Sequence, residues 1–139
     1  MTPEAPAGPA RTERVLLFRL GGGRFAIRLA EAQEVLRLGR EPVPVPGAPP
    51  WLAGILNHHG RVLPLLRLDG VLGVSPPGSE QAIRVEVGGE PAALLVDGVD
   101  SLEDVRPEGP KHLGRQRAWH GDRLFELIDV ADLLSGLGV

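Results

Sequence analysis

Four histidines offer most of the chemistry in this chain, and two of them are adjacent: His58 and His59, inside "GILNHHGRVLPLL". An imidazole can ligate a metal, move a proton near neutral pH or recognise a partner. Together with His112 and His120 they form the constellation from which a His-based metal enzyme could be built. Successive residues of a strand point to opposite faces, which argues against His58 and His59 sharing one ion. Nothing in the sequence concentrates carboxylates beside a histidine. Ser75, Ser79, Ser101 and Ser135 lie in polar or helix-end contexts, with no G-x-S-x-G elbow. There is no P-loop, dinucleotide fingerprint or H-E-x-x-H. With no cysteine, disulfides, thiolate nucleophiles and sulfur-ligated metals are excluded. The expectation is a protein with no catalytic residues, no metal site and no cofactor. The histidines then read as the tip of a recognition turn, in which Asn57 and Gly60 tolerate positive φ and Arg61 adds a cation.

The elements around that tip are short and apolar. The chain has 139 residues, enough for one domain with a real core, and a formal net charge of −3, which argues against a nucleic-acid binder. Aromatics are 4% of the residues, so Leu, Val, Ile and Ala must fill the core. No apolar stretch reaches transmembrane length and no secretory signal opens the chain, so the expectation is a cytoplasmic protein without direct membrane insertion. Residues 1–13, "MTPEAPAGPARTE", read as a disordered tail and 14–139 as the folded domain. "RVLLFRL" and "RFAIRL" flank "GGG" as a hairpin, and "AEAQEVLRL" reads as a helical turn. The proline-rich "REPVPVPGAPPW" is an extended connection. "GIL" and "RVLPLLRL" flank the histidine turn, "AIRVEV-GGE-PAALLV" is the clearest hairpin, and "RAW-HGD-RLFELI" is another. "DGVLG" and "DVADLLSGL" read as short helices, the second capped by Asp129.

These pieces repeat. "FRLGGGRFAIRLAEAQEV" resembles "VEVGGEPAALLVDGVDSL", and "HGRVLPLLRLDGVLG" resembles "HGDRLFELIDVADLLSG". The chain therefore reads as two similar halves of about five short strands each, suited to small barrels. Asp97 is expected to brace the turn after its strand. Trp51 and Trp119 are expected as core or junction anchors.

In "LLFRLGGGRFAIRLAEAQEVL", "PVPGAPPWLAGILNHHGRVLPLLRLDGVLG", "GGEPAALLVDGVDSL" and "HGDRLFELIDVADLL", in that order, the chain resembles CheW-type coupling proteins of bacterial chemosensory systems. The resemblance implies a mainly β fold of two intertwined SH3-like five-stranded β-barrel subdomains with short helices. It implies no enzymatic activity. It further implies an adaptor that joins the regulatory domain of a CheA-type histidine kinase to the cytoplasmic tip of methyl-accepting chemoreceptors, recruited to receptor arrays. A monomer when free is expected separately, because the apolar runs are short enough to be used in two barrel cores. The family's contact positions fall on Ala32, Glu34, Asn57, His58, His59 and Gly60, and Arg61 is a neighbouring cation expected to contact the partner beside them. The chain departs from the family where N-L-R-G becomes Asn57-His58-His59-Gly60, so that His59 replaces an arginine, and where Ala32 replaces the usual valine. "GPKHLGRQRAWHG" is shorter than the family norm, which predicts a truncated strand in the second half. These departures point to an alternative: a specialised adaptor that binds only one of the two partners, or another regulator.

Overall fold

The apolar runs fold as ten strands and two short helices in a computed structural model that describes residues 11–39, 42–78 and 81–136. The first half supplies β1 (Glu13–Leu20), β2 (Gly23–Arg28), β3 (Ala32–Arg37), β4 (Leu52–His58), β5 (Arg61–Leu66) and α1 (Asp69–Leu72). The second supplies β6 (Gln81–Val87), β7 (Glu90–Val96), β8 (Gly98–His112), β9 (Arg115–His120), β10 (Arg123–Ile128) and α2 (Val130–Ser135). One set of strands closes into a barrel, β1-β2-β10-β9-β8. The other forms a five-stranded sheet in the order β3-β6-β7-β5-β4.

The repeat in the sequence returns as a repeat of pairing, with strands exchanged between halves. The β1–β2 hairpin is joined by β10, parallel to β2, and by β8 along β1. The β6–β7 hairpin is joined in the same way by β5, parallel to β7, and by β3 along β6. A parallel pairing cannot be made by a tight turn and needs a long crossover. The connections through α1 and the long β8 satisfy that need, so neither sheet is complete without strands from both halves.

This exchange explains why the strands read as continuous apolar runs. Val15 and Leu17 face the barrel interior with Ala26, Val105, Ala118, Phe125 and Leu127. Leu16, Phe18 and Leu20, on the other face of β1, join the largest cluster, where β2 meets Ile83, Val85, Leu94 and Val96 of the second sheet and Leu133 and Leu134 of α2. Leu36, Leu56, Leu63, Leu65, Ala82 and Ala93 form the core of the second sheet. With both faces of β1, β2 and β7 buried over much of their length, apolar–polar alternation fades in them, while β6 keeps it through Arg84 and Glu86.

The structure corrects the sequence reading at several points. The stretch around "AQEVLR" is strand β3, not a helical turn: its pairing with β6, from Ala32↔Val85 to Arg37↔Gln81, overrides the helix propensity of its residues. Among the described residues no second-half strand is truncated, because β8 runs for 15 residues and pairs β9 across an irregularity between Glu108 and His112. Glu13, read as tail, begins β1, and its carboxylate accepts from Arg28 Nε at 2.5 Å. Residues 1–10 of the tail lie outside the described residues. Asp97 reaches back rather than forward, accepting from the Gly21 N–H at 2.6 Å and the Gly78 N–H at 2.7 Å. Trp51 packs against the largest cluster, whereas Trp119 is half-buried on the barrel with Nε1 donating to Glu108.

Two carboxylates tie the helices down. Asp69, buried at the start of α1, accepts from Arg67 Nε at 3.1 Å and Nη2 at 3.0 Å. These bonds hold its pKa below the ordinary carboxylate value, against the opposing effect of burial. Burial would by itself raise the pKa of Asp129, the N-cap of α2, but bonds from the Asp132 N–H and Lys111 Nζ bring it below the ordinary value. Burial and the nearby Asp129 raise Glu31. A carboxylate with a depressed folded pKa contributes stability above its unfolded pKa and loses it as pH falls through the folded one; a raised carboxylate does the reverse. The Arg67–Asp69 pair thus stabilises the fold near neutral pH and loses that contribution in acid. The melting temperature is therefore expected to fall as pH drops below about 4, and Arg67→Ala is expected to make that limb shallower. Melting curves from neutral to acid pH check this; an acid limb unchanged by Arg67→Ala contradicts it.

Candidate functional site

The β4–β5 hairpin turns on two residues, His59 and Gly60, with φ of 51° and 79°. His58 and Arg61 pair across its end. Positive φ at both central positions is the type I′ geometry whose twist suits a two-residue hairpin. Asn57 serves differently from the sequence reading: it does not adopt positive φ, and its Oδ1 accepts from the Gly60 N–H at 3.1 Å. The left-handed residue is His59, a conformation open to histidine but costly for β-branched side chains. Leu56 and Leu63, a register pair buried in the second sheet's core, anchor the turn.

The left-handed backbone also breaks strand alternation. The rings of His58 and His59 lie with centroids 4.1 Å apart, inclined at 61°. Opposite faces, the expectation for a regular strand, do not hold in the turn. A carboxylate joins them: Glu34 Oε1 of β3 is 3.5 Å from His58 Nε2. The ligand-capable atoms of Glu34, His58 and His59 all lie within 4.8 Å of one another. His58 Nε2 is shut off from solvent and makes no hydrogen bond, since Glu34 stands within ion-pair range but outside hydrogen-bonding geometry.

Strands β3 and β4 end opposite edges of the second sheet, yet the sheet curls until those edges face each other. Between them lies a cleft of about 450 Å³, lined by Leu36, Leu38, Val43, Ile55, Leu56 and His58 among others. Val35 and Val62 are 48% and 65% exposed beside Glu34 and Arg61. Of the positions singled out in the sequence, Glu34 and the hairpin residues Asn57, His58, His59, Gly60 and Arg61 lie on the two edges that face each other. Ala32 does not join them; across the irregularity between Ala32 and Glu34 it packs against the inter-sheet core. Nor do the four histidines assemble. His112 and His120 lie on β8 and β9 of the barrel, where His120 approaches the Asp104 carbonyl and the Glu103 carboxylate. Among the described residues the three-membered ligand group takes Glu34 in their place. No sequence signal marked Glu34 as a neighbour of His58, because their contact depends on the curl of the whole sheet.

The profile of the CheW-like domain matches residues 14–136. Protein PilI of Pseudomonas aeruginosa is 35% identical over 103 residues, covering 68% of this chain and 57% of that protein. The probable chemotaxis protein CheW of Rhizobium etli is 30% identical over 97 residues, covering 68% and 62%. Chemotaxis protein CheW of Rhizobium meliloti is 28% identical over 101 residues, covering 67% and 64%. The matches span about three fifths of the length of these curated relatives. Among solved structures, scaffolding protein TtCheW from Thermoanaerobacter tengcongensis superposes with a TM-score of 0.74 at 22% identity, covering 86% of this chain and 90% of that one, a likeness of fold. Among the described residues no helix is long and apolar enough to cross a membrane.

Proposed function

Because the chain belongs to the CheW-like domain family, we propose that it is a non-enzymatic adaptor, coupling the cytoplasmic tip of a methyl-accepting chemoreceptor to the regulatory domain of a CheA-type histidine kinase. It acts as a monomer when free and is recruited from the cytoplasm to receptor arrays. The observation that carries this reading is the β4–β5 turn, where His59 is exposed at a left-handed position on strands held by buried leucines. A rigid, exposed tip flanked by exposed Val35 and Val62 suits contact with another protein, since little ordering entropy is lost on docking. The second reading, an adaptor for one of these partners or for another regulator, is favoured by His59 itself. Histidine lacks the permanent charge and bidentate fork of the family's arginine.

His59→Ala is expected to leave the melting temperature nearly unchanged, because the side chain is exposed. Affinity for the cognate partner is expected to fall on the order of tenfold, equivalent to about 1.4 kcal/mol. His59→Arg restores the family's side chain and is expected to strengthen binding to a typical kinase regulatory domain or receptor tip. Titration calorimetry against each partner, with chelator present, separates the two readings. Full affinity of His59→Ala for both partners would remove the turn from the docking surface.

A further inference from the structure

We propose that Glu34, His58 and His59 form a binding site for a divalent transition-metal ion of the zinc class. The inference is independent of the adaptor reading. Ligand atoms around a tetrahedral zinc ion stand about 3.3 Å apart, given metal–ligand distances of about 2.0–2.2 Å. Glu34 Oε1 and His58 Nε2, 3.5 Å apart, already have that spacing. The three ligand atoms lie within 4.8 Å of one another, so the third ligand needs only a modest rotation of an exposed ring, His59. The buried His58 Nε2 is the second indication. It makes no hydrogen bond, although buried polar atoms are rarely left without a partner. A cation between it and the carboxylate would satisfy both.

The donor set selects the ion. Two imidazoles and one carboxylate suit zinc, cobalt, nickel or copper, whereas magnesium and calcium take oxygen. The hairpin presents both imidazoles on a turn fixed by the Asn57–Gly60 hydrogen bond, so His58 and His59 are largely preorganised. Glu34 comes from the far edge of the sheet. A bound ion would therefore link β3 to β4, which among the described residues are not paired as strands. Three protein ligands leave a position open for water or a side chain from another protein.

The test uses the untagged full chain, stripped with chelator and titrated with zinc by calorimetry and with cobalt by visible absorption. The expected result is one saturable ion per chain, a melting temperature that rises with zinc concentration and cobalt absorption of low-symmetry, four-coordinate character. Glu34→Gln, His58→Ala and His59→Ala are each expected to weaken affinity by at least about tenfold, since even outer-sphere partners of a metal site are worth that much. His112→Ala and His120→Ala are expected to leave it unchanged. Should His58→Ala fail to fold without metal, Glu34→Gln and His59→Ala, both altering exposed side chains, carry the test. No saturable binding, a stoichiometry other than one, or affinity that survives loss of Glu34 and His59 would overturn the site. Kinase or receptor binding takes no part in these measurements, so failure of the adaptor reading leaves their outcome untouched.

Discussion

Replacing Phe18 with alanine is expected to lower the unfolding free energy by about 3–5 kcal/mol, the range for truncating a buried aromatic. Phe18 is 0% exposed and stacks on Phe25 with ring centroids 5.7 Å apart. Its cluster is also the one that joins the barrel to the second sheet, through Ile83, Val85, Leu94 and Val96. The cavity would open at the junction of both strand sets, where neither can collapse without pulling on the other. Both sheets borrow strands from both halves, so they are expected to unfold together in one urea transition, with the midpoint shifted down in the variant. Phe18→Leu keeps more of the volume and is expected to cost less. A loss below about 1 kcal/mol for Phe18→Ala would mean that the junction relaxes, contrary to the close packing expected of a buried core.

Gly21→Ala is the second large effect, at about 2–4 kcal/mol from left-handed strain and overpacking together. Gly21 has φ of +58°, and a Cβ there would run into the Ser75 carbonyl oxygen, lie 2.6 Å from the Ser75 nitrogen and 2.8 Å from Val74 Cβ. The backbone of the segment after α1 passes directly over this turn, and Asp97 holds both sides, one oxygen on the Gly21 N–H and the other on the Gly78 N–H. Gly22 provides the internal comparison. It too has positive φ, +84°, but a Cβ there meets nothing within 4 Å. Gly22→Ala is therefore expected to cost only the conformational strain, about 1–2 kcal/mol. Urea unfolding of the two variants side by side decides the matter: equal losses would show that the segment after α1 does not press on the turn.

These glycines show where sequence reading works and where it stops. "GGG", "GGE" and "HGD" announce hairpins because a tight turn is written in a few neighbouring residues. The structure forms β1–β2, β6–β7 and β9–β10 as read. Asp129 was legible as a helix cap for the same reason: its partner is the N–H three residues on. Strand β3 was not legible. Ala32, Gln33, Glu34 and Leu36 are adequate helix formers, and only the offered edge of β6 makes them a strand. The close approach over Gly21 was equally hidden, since nothing in "GGG" says that Ser75 lies above it.

The sequence by itself determined most of the hairpins, the two-fold repeat, the mainly β class and the histidine turn, all of which rest on short-range dihedral preferences and on the summed pattern of apolar residues. Tertiary structure alone decided that the halves exchange strands, because the parallel pairings of β2 with β10 and β5 with β7 are chosen by which apolar faces can be buried together. It alone decided the chemistry of the turn as well. The left-handed dihedral of His59 brings two rings together that a regular strand would separate. The curl of the second sheet then delivers Glu34 to them from its opposite edge. A contact between the two edges of one sheet exists only once every strand between them has paired, so no local stretch of sequence encodes it.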